Sequence, residues 1–464
     1  MKLRMFEDKN FWKSMLRLAL PIAFQNLLTT SLSLVDTLMI GQLGDVSIAA
    51  VGIASQVAFF VNIAMFGIAS GGAVFIAQYW GRGDRDGISR AYGMMLICNI
   101  PIALILSTMV FLFPNSVIGL FSNDQVAIAE GARYIKIACF SYLGVALSQT
   151  FSIVLRSTEE VKLPVVSGAV AVAINVILNY VLIFGKFGFP AMGVEGAALA
   201  TTISGLFSPI LILVISIFKK NVLVPPIRKM FSISKEFVAE FFQRASPVLI
   251  NETLWALGVM GYNAVFGRMG TGNYSALTIF RTVENISFVF FIGICNACNV
   301  MIAKRVGAGD IEEAKQYSKR FLLLVPALAV VVGAMVILLR EPILGIFNIA
   351  SEVHSTASIL LLIYGLEMGL RNIPYVSVVG IFRAGGDTKT GMKYDLLSLW
   401  LLALPITAVC GLVLNMPFIW VYVIMLLCED LLKNVLCIRR YLSMKWIQPV
   451  KNEGGGDIYS ADAA

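Results

Sequence analysis

Residues 67–84 read GIASGGAVFIAQYWGRGD, and residues 293–310 read GICNACNVMIAKRVGAGD. Laid over one another at a separation of 226, they pair Gly67 with Gly293 and Ile76-Ala77 with Ile302-Ala303. Gly81, Gly83 and Asp84 fall on Gly307, Gly309 and Asp310. The register continues outward on both sides. Pro21 meets Pro247, Gly41 and Gly44 meet Gly267 and Gly270, Ala50 meets Ala276, and Gly119 and Phe121 meet Gly345 and Phe347. A single register held over about a hundred residues marks an internal duplication.

The duplicated unit belongs in a membrane. Of 464 residues, 58% are hydrophobic and 14% charged, with a mean hydropathy of +0.82. Soluble domains carry about 45–50% apolar and about 25% charged residues. That gap excludes a soluble enzyme, a disordered protein and a secreted disulfide scaffold. A span takes roughly 20 apolar residues. Twelve segments qualify: 14–39, 49–79, 92–114, 132–154, 163–184, 194–217, 246–266, 275–303, 321–339, 355–381, 395–414 and 417–437. Their runs are continuous rather than alternating, which points to helices. The expectation is an all-α polytopic membrane protein with twelve transmembrane helices.

Charge gives the orientation. Twenty-nine of the 36 Lys and Arg fall in 1–17, in the connections after even-numbered spans, or in 433–451. Those stretches share one side, so both termini are expected in the cytoplasm, with the chain in the plasma (inner) membrane. The net charge of +8 is thereby a topology signal, and no nucleic-acid partner is expected. Seven cysteines lie in apolar runs and form no disulfide framework. Residues 1–17 are charged and lead into a long apolar run, so no cleavable signal is expected. The glycine-rich tail to Ala464 reads as disordered.

Each half holds six spans and runs the same way through the bilayer, as in parallel-repeat transporters. The division expected is a lobe over 1–217, a cytoplasmic linker over 218–244, a second lobe over 245–440 and a tail over 441–464. No GxxxxGK[ST] loop and no metal-ligand cluster occurs in the chain. Neither an enzyme nor a cofactor is expected.

Several stretches resemble those of the multidrug and toxic compound extrusion (MATE) family. They are Leu20-Pro21 through Val35-Asp36-Thr37, then Gly41-Gln42-Leu43-Gly44 and Ala49-Ala50-Val51-Gly52. The second half repeats the pattern with Pro247, Asn251-Glu252 and Phe266 to Gly270. Asn175 to Tyr180, Gly193 to Ala198 and Arg383 to Thr388 complete the set. The resemblance covers about residues 10–440. It implies a V-shaped pair of six-helix lobes that export a drug or metabolite against inward H⁺ or Na⁺. A monomer acting on a small molecule is expected.

An ionisable group at the bilayer centre costs roughly 2.5–3.5 kcal/mol, so each one needs a reason. Asp36 lies in the outer half of the first span, between Val35 and Thr37. A carboxylate there loses hydration, and loading a proton or a sodium ion relieves that cost. Asn175 and Asn179 share one helix face at i, i+4. Their amide oxygens suit Na⁺ or a proton-dependent network with Asp36, and Thr201 or its neighbour Thr202 can add a hydroxyl. In the family, positions matching Asp36, Asn175, Asn179 and Thr201 form a cation-coupling set. Glu252 matches an acidic cation-binding position of one branch, whose tenth-span aspartate is replaced here by Asn372. Glu284, Asn372 and Gln25 are candidates for the substrate cavity, and Pro21 for a hinge. Glu367 can pair with Arg371, and Glu284 with Arg281. A cavity with Asp36, Glu252 and Glu284 favours cationic amphipaths. The alternatives are a flippase for lipid-linked oligosaccharides, for which a more basic cavity is expected, and a membrane scaffold that transports nothing.

Overall fold

The structure, a computed structural model, describes residues 8–450 except 123 and 348. The readings of residues 1–7 and of the glycine-rich tail lie outside it. Fifteen helices occur among the described residues. In the first half they are α1 Lys9–Gly41, α2 Asp45–Arg82, α3 Arg85–Leu112, α4 Pro114–Gly119, α5 Gln125–Ala138, α6 Ser141–Ser157, α7 Lys162–Phe184 and α8 Val194–Lys219. The short α9, Ile227–Met230, leads to α10 Lys235–Arg268, α11 Thr271–Ala308 and α12 Ile311–Leu344. Then come α13 Ser351–Gly385, α14 Thr388–Val413 and α15 Phe418–Leu442.

All twelve apolar segments fall on long helices. Nine described helices are long and apolar enough to cross a membrane, and α5 with α6 makes a tenth. The remaining two, α10 and α15, carry charged groups that the fold turns onto partners (below). The fourth segment departs from the expected straight span, for α5 and α6 meet at 51°. The Ser107 hydroxyl donates to the Cys139 carbonyl at 2.8 Å, and Ser141 donates to Ala138 O at 2.6 Å. Side chains thus satisfy carbonyls that the break releases, as the bilayer requires. α10 begins inside the stretch read as linker, because Ser234 accepts from Phe237 N–H at 3.1 Å and caps it. Its buried Phe237 and Phe241 then pack on Phe75 of α2.

The two opening stretches face one another. α2 packs on α10, α1 on α11, and α2 on α11. A Cβ on Gly81 would lie 2.0 Å from the Lys304 carbonyl oxygen, and one on Gly307 would lie 2.0 Å from that of Gln78. Residues 78 and 304 are themselves 226 apart, so the crossing has local two-fold symmetry. Bare backbone lets the helices approach this closely. Gly83 and Gly309 serve another purpose. Their φ values of 74° and 85° place them in the left-handed region, where they end α2 and α11. Asp84 then accepts from Gly87 N–H at 2.8 Å to start α3, whereas Asp310 ion-pairs with Arg305 at 3.7 Å.

The symmetry extends to the neighbouring turns. Lys304 Nζ donates to Glu159 at 2.8 Å, in the turn between α6 and α7. Gln78, its repeat partner, donates from Nε2 to Ala384 O at 3.0 Å, in the last turn of α13. This end of the bundle, rich in Lys and Arg, is called the basic end below.

Candidate functional site

Asp36 sits one turn before the end of α1. Its Oδ1 accepts from Asn179 Nδ2 at 2.5 Å. The same amide nitrogen donates to Asn175 Oδ1 at 2.9 Å, and Asn175 Nδ2 donates to Ser204 Oγ at 3.2 Å. Both asparagines are 1% exposed. The i, i+4 spacing on α7 therefore does what helical periodicity allows, and α8 closes the group with Ser204. The two threonines separate. Thr201 hydrogen-bonds with the Tyr134 hydroxyl of α5. Thr202 donates to Ile137 O at 3.0 Å and to Ala198 O at 2.9 Å, tying backbone together. Tyr134 and Ser204 join the group without having been singled out in the sequence. A buried hydroxyl three residues after Thr201 was the available signal for Ser204. Tyr134 arrives from a different helix and left no local signal.

This group can hold a small hard cation. Asn179 Oδ1 is buried without a hydrogen-bond partner. Together with the Asp36 carboxylate and Asn175 Oδ1 it offers three oxygens, the donor type that suits Na⁺. A proton on Asp36 would satisfy the same carboxylate.

The other candidates lie elsewhere. Glu252 of α10 pairs with Arg383 at 2.5 Å, and Arg383 also reaches Ser70 of α2 at 3.2 Å. Its carboxylate is thus taken up by a guanidinium that is itself 4% exposed. Glu284 pairs with Arg371 of α13 at 2.6 Å, not with Arg281, which donates to Asn263. Nor does Glu367 take Arg371 in a one-to-one pair; its carboxyl meets that of Asp430 on α15. Asn372 is fully buried and donates to Met368 O of its own helix at 2.8 Å. Gln25 accepts from Arg156 Nη2 at 2.6 Å. α1 passes Pro21 without a break, leaving the Arg17 carbonyl without its helical donor.

The second half holds a further charged group that the sequence reading missed. Tyr262, the repeat partner of Asp36, donates its hydroxyl to Glu429 at 3.1 Å. Lys433 pairs with Asp395, which also accepts from Asn251 at 2.8 Å. Glu429, Asp430 and Lys433 stand inside the twelfth apolar segment, so intramembrane charge was the signal.

A family model for MatE matches residues 21–181 and 247–421, two blocks that begin at the repeat-related Pro21 and Pro247. The chain is 27% identical over 441 residues to the probable multidrug resistance protein NorM of Thermotoga maritima, covering 94% of this chain and 93% of that protein. It is 26% identical over 446 residues to the uncharacterized transporter YisQ of Bacillus subtilis, covering 95% and 96%. Its fold matches a MATE crystal structure in the bent conformation with a TM-score of 0.83 at 16% identity, covering 93% and 94%. It matches the eukaryotic MATE transporter AtDTX14 with 0.81 at 17%, covering 94% and 96%. Matched along both halves, with the fold of twelve helices in two sets of six, this chain belongs to the MATE family of membrane transporters.

Proposed function

We propose that the protein is a secondary antiporter that exports cationic amphipathic compounds in exchange for H⁺ or Na⁺. The hydrogen-bonded row Asp36–Asn179–Asn175–Ser204 carries this reading. It sets one ionisable group in the outer part of a span, with buried amides ready to share its load. Relatives named as multidrug resistance proteins support the export of drugs. Excess acid within the apolar segments of the second half supports a cationic cargo. Glu284, Glu367, Asp395, Glu429 and Asp430 outnumber Arg281, Arg371 and Lys433 there.

In the cycle proposed, residues 1–217 and 245–440 act as two lobes joined by 218–244, with the basic end in the cytoplasm. The close seam at Gly81 and Gly307 shuts that end. Asp36 takes its ion from outside while substrate departs. Loading changes how α1 packs, and Pro21 absorbs the bend. The lobes then rock, the ion leaves inward, and new substrate binds. A membrane potential drives each inward positive charge with about 2.3 kcal/mol per 100 mV.

The test is efflux of a fluorescent cationic dye from proteoliposomes under a proton gradient or a sodium gradient alone. Movement driven by one gradient and lost in Asp36→Asn is the expected result and names the ion. No movement under either gradient would overturn the reading and turn attention to a lipid-linked substrate.

A further inference from the structure

Residues 443–450, which follow α15, stay against the molecule. Trp446 is fully buried and stacks on Tyr441, ring centroids 6.3 Å apart and 9° from parallel. Ile447 bridges Gly386, and Gln448 N–H donates to Gly385 O at 2.7 Å. These contacts fasten the segment to the α13–α14 turn of the second half. Arg244, at the start of the membrane part of α10, then donates to the carbonyls of Gln448 at 2.6 Å and Pro449 at 3.0 Å. Val450 finishes on the first half. Its N–H donates to Gln78 Oε1 at 2.7 Å, and Arg82 Nη2 donates to its carbonyl at 2.5 Å. Its side chain, 2% exposed, enters the apolar cluster that holds Phe75 and Phe241.

We propose that residues 445–450 form a clasp across the basic end, which holds the two halves together there and must release before that end can open. Gln78 is its keystone. One amide group grips the second half through Ala384 O and receives the clasp through Val450 N–H. Opening the seam would part Gln78 from Ala384. Val450 is bound to Gln78 while Trp446 is bound beside Gly385, so the two ends of this five-residue strap would be drawn apart. Extended chain spans at most about 3.3–3.6 Å per residue, so a strap this short limits how far the seam can part while both ends stay held. Release of one end therefore has to accompany opening. Among the described residues, Val450 is held by a buried side chain and two hydrogen bonds, one from its N–H to Gln78 and one from Arg82 to its carbonyl.

The requirement for opening rests on the transport reading above; the clasp itself does not. Spin labels at the exposed positions Arg85→Cys and Glu312→Cys, in a chain with its seven native cysteines replaced, measure separation at the basic end. A chain ending after Lys445 and a full chain with Val450→Asp are both expected to show a distribution shifted to longer distances. If both match the intact chain, the clasp is refuted. In a second arm, Gln78→Cys and Val450→Cys are bridged by a short bis-methanethiosulfonate. Dye transport is expected to stop and to return on reduction. Unchanged transport in the bridged protein would overturn the need for release. If the reduced protein moves no dye at all, the transport reading fails, and the spin-label distances still decide on the clasp.

Discussion

Gly81 and Gly307 hold equivalent places in the two halves, and each lies against the residue three positions before the other, Lys304 for Gly81 and Gln78 for Gly307. Neither site has room for a methyl group, because the opposing atom is backbone rather than a side chain that can turn away. Gly81→Ala and Gly307→Ala are each expected to force the seam apart. Overpacking of this kind costs about 1–3 kcal/mol. Thermal unfolding in detergent should register it, together with longer distances at the basic end. Gly119→Ala, whose Cβ would meet only a side-chain methyl at 3.9 Å, should be silent and serves as the control.

Asn179 donates to two oxygens at once, and one of them belongs to a carboxylate. A hydrogen bond to a charged group is worth about 1.5–3 kcal/mol. Asn179→Leu should therefore weaken the apparent affinity for the coupling ion by roughly tenfold or more, read from the ion dependence of dye efflux. Asn179→Asp should retain binding but alter its pH dependence, since it adds a second ionisable group beside Asp36.

Thr201 and Thr202 provide an internal contrast. Thr201→Val removes the hydroxyl that meets Tyr134, close to Asp36, and should shift the ion dependence with little change in melting temperature. Thr202→Val breaks two hydrogen bonds to backbone and should do the reverse. About 1 kcal/mol of stability is at stake in the second case. Both effects can be read from one preparation of each variant.

Arg383 is nearly inaccessible and its main partner is Glu252. Removing the arginine alone leaves a partly buried carboxylate unpaired, at a cost of up to about 3–5 kcal/mol. Removing both, as Arg383→Met with Glu252→Gln, should recover most of that loss. If Glu252 served only to couple ions, the double variant would fold no better than the single one. Expression level and melting temperature distinguish these outcomes.

Asp8 caps α1 at the basic end, accepting from Asn10 N–H and Phe11 N–H at 3.0 and 3.1 Å, and pairs with Arg320 at 2.7 Å. The Arg320 hydrogen bond, ahead of the opposing cost of burial, holds its carboxyl below the ordinary carboxylate range. A lowered folded-state value means stability that is fully present above the unfolded value near 3.9 and is lost as pH falls below it. Asp8→Asn should remove that acid sensitivity and cost about 1 kcal/mol at neutral pH. Melting temperatures between pH 3 and pH 7 test both statements.

Much of this fold was legible because two periodic signals reinforced each other. Apolar runs located the helices, and the glycines at 81, 83, 307 and 309 repeated because seam and caps are built twice. The break between α5 and α6 was not legible. Neither Pro nor Gly marks it, and the hydroxyl that stabilises it, Ser107, comes from α3. Asp36, Asn175 and Asn179 could be found from helical spacing together with the cost of burying a charge. Spacing allowed Glu284 to pair with Arg281 or elsewhere, and Arg371 is the guanidinium that the packing of α11 on α13 brings to it. Local spacing lists possible partners, and tertiary contact chooses among them.

A duplicated chain begins with two equal ends of its seam, and here they have become unequal. In one, the turn after α6 presents Glu159 to Lys304. In the other, the position corresponding to Glu159 is Gly385, and Gln78 receives main chain from Val450. A chimera made of two first halves would offer two carboxylates and have no strand to dock there. One made of two second halves would set two lysines against turns without a countercharge. The protein is a tandem whose members are no longer interchangeable, since only one of the two equivalent joints receives the strand that follows α15.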